Sequence, residues 1–224
     1  MKTVCIFAGS KDVQPSHAQA AREVSILLAR RGYNLVWGGQ DSGLMKVVGD
    51  AFTDARTTNK LIGVTTVNIR QFCADMHPAC DQQIICEDEG QRNETYRKLS
   101  DFYVVLPGGV GSLTELAMAF DHNYLDMHRL KGQPHSPLKP IFMLNTDNFW
   151  RGFLAQVHLC TGAGDPTQAY SSPYTAHSLW PRTPEAVTPR ALMNAVQTWE
   201  REANERWQNV RDGLHAEKVL ASVA

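Results

Sequence analysis

The chain has 224 residues, 43% of them hydrophobic, and a formal net charge of −1. This length is enough for one domain, with a core over about residues 1–195 and a C-terminal helical extension over about 191–224. The balanced charge argues against nucleic-acid binding driven by bulk electrostatics, and no apolar run reaches the roughly 20 residues that span a bilayer. Five cysteines, an odd number, and an N-terminus without a signal-peptide pattern predict a cytoplasmic protein.

Apolar runs and helical periodicity alternate through the first two thirds of the chain, which predicts an α/β fold. We expect a single Rossmann-like domain, an open parallel sheet with helices on both faces. The predicted strands are Val4–Phe7, Leu35–Trp37, Leu61–Val64, Ile84–Cys86, Phe102–Leu106 and Ile141–Leu144, with a short last strand at Leu179–Trp180. The predicted helices are His17–Arg31, Leu44–Arg56, Gln91–Ser100, one from Ser112, Phe149–Cys160 and Ala191–Val210, and Arg129–Lys139 is a predicted surface loop.

The stretch Asp101–Phe120 combines a strand, a glycine-rich turn and a helix. Ser112 is the predicted N-cap of this helix. The free N–H groups and the positive end of the helix dipole favour an anion, most often phosphate. Glu115, one turn further on, either closes a capping box with Ser112 or directs its carboxylate into a pocket above the strand.

Three glycine-containing turns follow the first, second and fifth predicted strands. They are Gly9-Ser10, Gly38-Gly39 and Pro107–Gly111. A single turn of this kind is a weak signal, and the third is not a Walker loop because no lysine follows its last glycine. Carboxyl ends of parallel strands lie at one edge of the sheet, where open α/β sheets bind ligands. The three turns together therefore predict a ligand site.

Two of these motifs together resemble those of the LOG family, the cytokinin riboside 5′-monophosphate phosphoribohydrolases. The family pattern P-G-G-x-G-T-x-x-E is present from Pro107 to Glu115, with Ser112 in place of threonine, and G-G-x-x-x-G-L-M is complete from Gly38 to Met45. The resemblance covers about Val4 to Ala195. The family's M-H-x-R-K segment is E-G-Q-R-N here, so arginine is retained as Arg92 but the neighbouring histidine and lysine are absent.

The resemblance implies hydrolysis of the N-glycosidic bond of a nucleoside 5′-monophosphate, with Arg92 and Glu115 as catalytic residues. It implies no cofactor and no metal, a nucleotide as the small-molecule partner, and a homodimer or larger assembly. Nucleic acid and membrane are not expected partners. The residues expected to bind substrate are Gly9, Ser10, Gly39, Met45, Asn93, Pro107, Gly108, Gly109, Val110, Gly111 and Ser112.

Several alternatives remain open from the sequence. Arg92 is also compatible with an exposed helix position paired with Glu89, and Glu115 with a simple helix cap. Cys73, His77 and Cys80 have the spacing C-x3-H-x2-C but lack a fourth ligand, so we do not expect a metal site. Two other functions fit the motifs: a broader nucleotide nucleosidase acting on substrates such as AMP, and a nucleotide-binding carrier without turnover.

Overall fold

The computed structural model describes residues 1–11, 13–73, 75–129, 138–161, 185–186 and 188–205. Strands and helices alternate along these residues. The strands are β1 (Thr3–Phe7), β2 (Asn34–Trp37), β3 (Leu61–Thr66), β4 (Gln82–Cys86), β5 (Phe102–Val105), β6 (Ile141–Leu144) and β7 (Glu185–Ala186). The helices are α1 (Pro15–Arg30), α2 (Gly43–Ala55), α3 (Val67–Phe72), α4 (Glu89–Leu99), α5 (Val110–Arg129), α6 (Arg151–Thr161) and α7 (189–205), with a 3-10 turn at Thr146–Asn148.

The strands form one parallel sheet in the order β4-β3-β2-β1-β5-β6-β7. After β1 the chain adds β2, β3 and β4 on one side, and it then returns to place β5, β6 and β7 on the other side. The direction of winding therefore reverses between β1 and β5, and a crevice is expected at such a switch point.

Helices cover both faces of the sheet, so the predicted fold class is confirmed. Alternate residues of β1 enter two different cores, as the pleat of a strand requires: Val4 and Ile6 face one way, and Cys5 and Phe7 the other. Residues of α1, α2 and α7 fill the first core, and residues of α4, α5 and α6 fill the second. In the described part of the chain, no helix has both the length and the apolar character needed to cross a membrane.

The first six predicted strands are present, with ends that differ by a few residues at most. The predicted N-cap at Ser112 is wrong, because α5 already begins at Val110 and the Gly109 carbonyl accepts a hydrogen bond from the Leu113 N–H at 3.0 Å. Helix α3 was not predicted. The predicted strand at Leu179–Trp180, most of the predicted loop at Arg129–Lys139 and residues 206–210 of the last predicted helix lie outside the described residues.

Candidate active site

A cavity of about 460 Å³ lies at the carboxyl edge of the sheet. The turns that follow β1, β2, β5 and β6 all contribute to its wall, so it spans the switch point between β1 and β5. Its volume is within the range typical of sites for small organic ligands.

The amino end of α5 forms one wall of this cavity. The wall comprises Pro107, Gly108, Gly109, Val110, Gly111 and Ser112. The Ser112 hydroxyl is buried and has no hydrogen-bond partner among the described residues. Gly108 must lack a side chain here, because a Cβ at this position would collide with Ser112 Oγ. The first amides of α5 have no carbonyl one turn earlier to bond with, so this wall presents hydrogen-bond donors to an anion.

Arg92 reaches the cavity from α4 and is only 7% exposed. The Asp88 carboxylate begins this helix by accepting a hydrogen bond from the Gln91 N–H at 2.7 Å. The Arg92 Nε–H donates to the Val64 carbonyl of β3 at 3.0 Å, and its Nη1 lies 3.1 Å from Glu115 Oε1. Arg92 is therefore neither exposed nor paired with Glu89, and this alternative from the sequence is wrong.

Glu115 is buried on α5 and faces the same cavity. Burial raises the pKa of its carboxyl to about 7, while the positive charge of Arg92 acts in the opposite direction. The carboxyl pairs with Arg92, and Glu115 lies beyond the first turn of α5, so its contacts are not those of a helix cap. A carboxyl with a pKa near neutrality can exchange protons under physiological conditions.

The turn after β2 leaves room for the arginine. A Cβ on Gly38 would lie 2.8 Å from Arg92 Nη2 and 2.6 Å from Met45 Sδ, so a larger residue would displace both side chains. The Met45 N–H donates to the Gly9 carbonyl at 3.1 Å, which joins the start of α2 to the turn after β1. The turns after β1, β2 and β5 thus all lie close to the Arg92–Glu115 pair.

Eleven of the thirteen predicted site residues line the cavity, and two do not. Gly39 adopts a φ of 76° and packs against Gly63, while its carbonyl accepts a hydrogen bond from the His77 N–H at 2.6 Å. The Asn93 amide is turned towards Met118, whose Sδ is 3.0 Å from Asn93 Nδ2. The eleven are Gly9, Ser10, Met45, Arg92, Pro107, Gly108, Gly109, Val110, Gly111, Ser112 and Glu115.

Eight further residues of the wall are not among the thirteen predicted site residues. Lys11 directly follows the predicted turn Gly9-Ser10, so extending that turn by one position would have found it, and Gln40 lies within the motif from Gly38 to Met45. His17 and Phe149 have no comparable signal, because they lie in different elements far apart in the chain. The complete set is Ala8, Lys11, Val13, His17, Gln40, Ile69, Cys73 and Phe149.

The Cys73, His77 and Cys80 segment does not form a cluster of ligands. His77 is buried, with its Nε2 3.1 Å from Asp50 Oδ1, whereas Cys73 is exposed. Among the described residues, no group of three histidine, cysteine or acidic side chains could hold a metal ion. The segment supports the turn after β2 instead, through the hydrogen bond from His77 to Gly39.

Solved structures with a similar fold include two proteins whose names refer to the molybdenum cofactor. The molybdenum cofactor binding protein from Rippkaea orientalis has a TM-score of 0.60 and 18% identity, with 88% of this chain and 97% of that chain covered. The Moco carrier protein from Chlamydomonas reinhardtii has a TM-score of 0.61 and 18% identity, with 90% and 99% covered. At this level of identity the likeness shows a common fold only.

Sequence comparisons identify nearer relatives. Residues 1–127 match the model of the SLOG cluster4 family. The cytokinin riboside 5′-monophosphate phosphoribohydrolase of Mycobacterium tuberculosis is 31% identical over 169 residues, which are 74% of this chain and 83% of that protein. The LOG protein of Oryza sativa subsp. japonica is 29% identical over 164 residues, 73% of this chain but only 63% of the rice protein. The chain therefore belongs to the SLOG cluster4 family and, as its motifs predict, to the LOG family.

Proposed function

We propose that this protein hydrolyses the N-glycosidic bond of a nucleoside 5′-monophosphate and releases the free base and ribose 5-phosphate. The observation that carries the proposal is the buried pair of Arg92 and Glu115, 3.1 Å apart, in a cavity that also receives the amino end of α5. A carboxylate and an anion-binding helix end in one cavity match a substrate with a reacting sugar carbon and a phosphate.

The amino end of α5 is the proposed phosphate site. The amides of Gly109 to Ser112 and the unpaired Ser112 hydroxyl supply donors to phosphate oxygens, which accept hydrogen bonds. Lys11, which also lines the cavity, adds a positive charge. Binding energy from the phosphate would then hold the anomeric carbon in place for the reaction.

Glu115 would act at the anomeric carbon. Cleavage of such a bond passes through an oxocarbenium-like state, in which the sugar carbon gains positive charge as the bond to the base breaks. The Glu115 carboxylate can stabilise that charge, and it can accept a proton from the water that adds to the carbon. The electron pair of the broken bond leaves with the base, which takes up a proton.

Arg92 would complement this role. A guanidinium does not readily give up a proton, so it serves as a charge and not as an acid. Its Nε–H is already bonded to the Val64 carbonyl, which fixes the orientation of the side chain. It holds Glu115 in position and would stabilise negative charge on the leaving base or on the phosphate.

The reaction can be tested by incubating the protein with a panel of purine and pyrimidine nucleoside monophosphates and measuring ribose 5-phosphate. AMP and adenosine form the matched pair, since they differ only in the phosphate. We expect kcat/KM for AMP to exceed that for adenosine by about 100-fold or more, because the nucleoside lacks the group that positions it. Equal values would contradict the phosphate assignment.

The same assay separates a second candidate, a nucleotide-binding protein without turnover. The absence of the family's histidine and lysine beside Arg92 favours this candidate, and Asn93, at the lysine position, does not line the cavity. Tight binding of monophosphates without release of ribose 5-phosphate, across the whole panel, would support the carrier and contradict the hydrolase.

A further inference from the structure

His17 is an unexplained residue of the cavity wall. It is 5% exposed, and its Nε2 atom is buried without a hydrogen bond to any described residue. Ser112 Oγ, in the same wall, is also buried without a hydrogen bond to any described residue. Buried polar atoms are rarely left unpaired, since the loss of solvation is then not compensated. Both atoms belong to residues of one cavity wall, where a bound ligand can supply a partner for each.

The ring of His17 is held between α1 and the loop after β6. It stands edge-on to the Phe149 ring, with 5.5 Å between the centroids. Its Nε2 lies 3.5 Å from Asp147 Oδ2, a carboxylate that already accepts a hydrogen bond from the Ser16 hydroxyl at 2.6 Å. The imidazole therefore has a fixed place, and its Nε2 has a carboxylate neighbour but no hydrogen bond among the described residues.

His17 and Arg92 reach the cavity from different parts of the sheet. Strand β6 pairs with β5, so the loop after β6 lies beside the glycine turn that begins α5. The turn after β1, which leads to α1, also meets this glycine turn, because a Cβ on Gly9 would be 3.7 Å from the Gly109 nitrogen. Arg92 reaches the other way, to Val64 of β3. His17, the amino end of α5 and the Arg92–Glu115 pair therefore line one cavity.

We propose that His17 is a substrate-contacting residue, whose Nε2–H donates a hydrogen bond to the phosphate of a nucleoside 5′-monophosphate. The inference rests on the proposed function, because it takes the phosphate to lie at the amino end of α5. The phosphate is then held by the backbone amides at the amino end of α5, by the Ser112 hydroxyl and by His17. Asp147 opposes this binding, since its carboxylate carries negative charge next to the same nitrogen.

This assignment gives Asp147 and His17 opposite effects on affinity. His17→Phe keeps a ring against Phe149 but removes the donor, so ribose 5-phosphate should bind about 10-fold more weakly. Asp147→Asn keeps the size of the side chain, and asparagine also tolerates the φ of 56° found at this position. It removes the repulsion, so ribose 5-phosphate should bind about two- to five-fold more tightly.

The experiment is calorimetric titration with ribose 5-phosphate and with adenosine, neither of which requires turnover by the proposed reaction. The variants are His17→Phe, His17→Gln, Asp147→Asn and the matched control His122→Phe, on a face of α5 that does not line the cavity. We expect the substitutions at His17 and Asp147 to change the affinity for ribose 5-phosphate but not the affinity for adenosine. His17→Gln should weaken ribose 5-phosphate binding less than His17→Phe does, and His122→Phe should bind both ligands as the wild type does. If His17→Phe does not fold, His17→Gln and Asp147→Asn still give the two opposite shifts.

The outcomes distinguish this inference from the proposed function. Unchanged ribose 5-phosphate affinity in His17→Phe, or equal losses for ribose 5-phosphate and adenosine, would overturn the role of His17 while leaving hydrolysis standing. Weakened ribose 5-phosphate binding in a protein that releases no ribose 5-phosphate from any monophosphate would overturn the hydrolase and keep the role of His17. A wild-type protein with no affinity for ribose 5-phosphate would overturn the role of His17 as well.

Discussion

Glu115 is buried at the cavity wall, and the guanidinium of Arg92 is the basic group beside its carboxyl. Glu115→Gln keeps the shape and removes the charge. We expect kcat to fall by about 100-fold or more, while nucleotide affinity changes only a few-fold, because the carboxylate acts on charge that appears in the transition state. Glu94→Gln is the matched control, since Glu94 pairs with Arg97 near the surface. Turnover that survives Glu115→Gln unchanged would remove this residue from the mechanism.

The raised pKa of Glu115 also predicts a dependence of stability on pH. The native pKa is about 7, above the ordinary value of 4.5, so the folded protein binds more protons than the unfolded chain between these values. The stabilisation is complete below pH 4.5 and is lost as the pH rises through 7, at no more than about 1.4 kcal/mol per unit. Urea unfolding at pH 5 and pH 8 measures the difference in unfolding free energy. The Glu115→Gln variant should lack this dependence of unfolding free energy on pH.

Catalytic activity should increase with pH, whereas the stability contributed by Glu115 decreases. The proposed role needs the carboxylate, so kcat should rise with pH and level off above about 7. Stability and activity therefore change in opposite directions over one pH interval, because they depend on opposite protonation states of Glu115. A kcat that falls between pH 6 and pH 8 would contradict the carboxylate role.

At the scale of elements, the approach of α4 to the turn after β2 depends on Gly38. Gly38→Ala places a methyl group 2.8 Å from Arg92 Nη2, and Arg92 cannot retreat without losing its bonds to Val64 and Glu115. We expect a loss of about 1–3 kcal/mol in unfolding free energy and at least a 10-fold loss of turnover. Gly152→Ala in α6 is the control, because a Cβ there meets nothing within 4 Å. Equal effects of the two substitutions would contradict this account of the turn.

The sequence predicted elements well where periodicity and burial agree. The first six strands were found because their side chains are buried runs, whereas α3 has no buried residue and therefore no apolar pattern. Ser112 was placed at the N-cap because serine favours that position, but Gly109 takes it and Ser112 falls inside the first turn. Eleven of the predicted site residues line the cavity because the motifs fix backbone turns. The position of His17 depends on the contact of α1 with the loop after β6, which a linear pattern does not contain.

At the scale of the whole molecule, a homodimer stays a prediction. Helix α5 exposes Val110, Leu113 and Leu125, at 80%, 41% and 38%, more apolar surface than its contact with the sheet requires. Light scattering at micromolar concentration should give twice the chain mass of 25.0 kDa. Leu125→Glu should reduce the mass towards that of one chain, while Gln19→Glu, on the exposed side of α1, should not. A 25 kDa mass for the wild type would contradict the dimer.

The place of β1 in the middle of the sheet has a consequence for the order of folding. Its two neighbours are β2, close by in the chain, and β5, where Val4 pairs with Phe102 after almost half of the chain has intervened. Contacts between such distant residues form slowly, since a long loop must close first. Until β5 arrives, β1 has an unpaired edge that another chain can occupy, and the cavity lacks the wall that α5 supplies. A growing chain on the ribosome should therefore acquire affinity for ligand only after residue 115 has emerged, and ligand binding would report completion of the sheet.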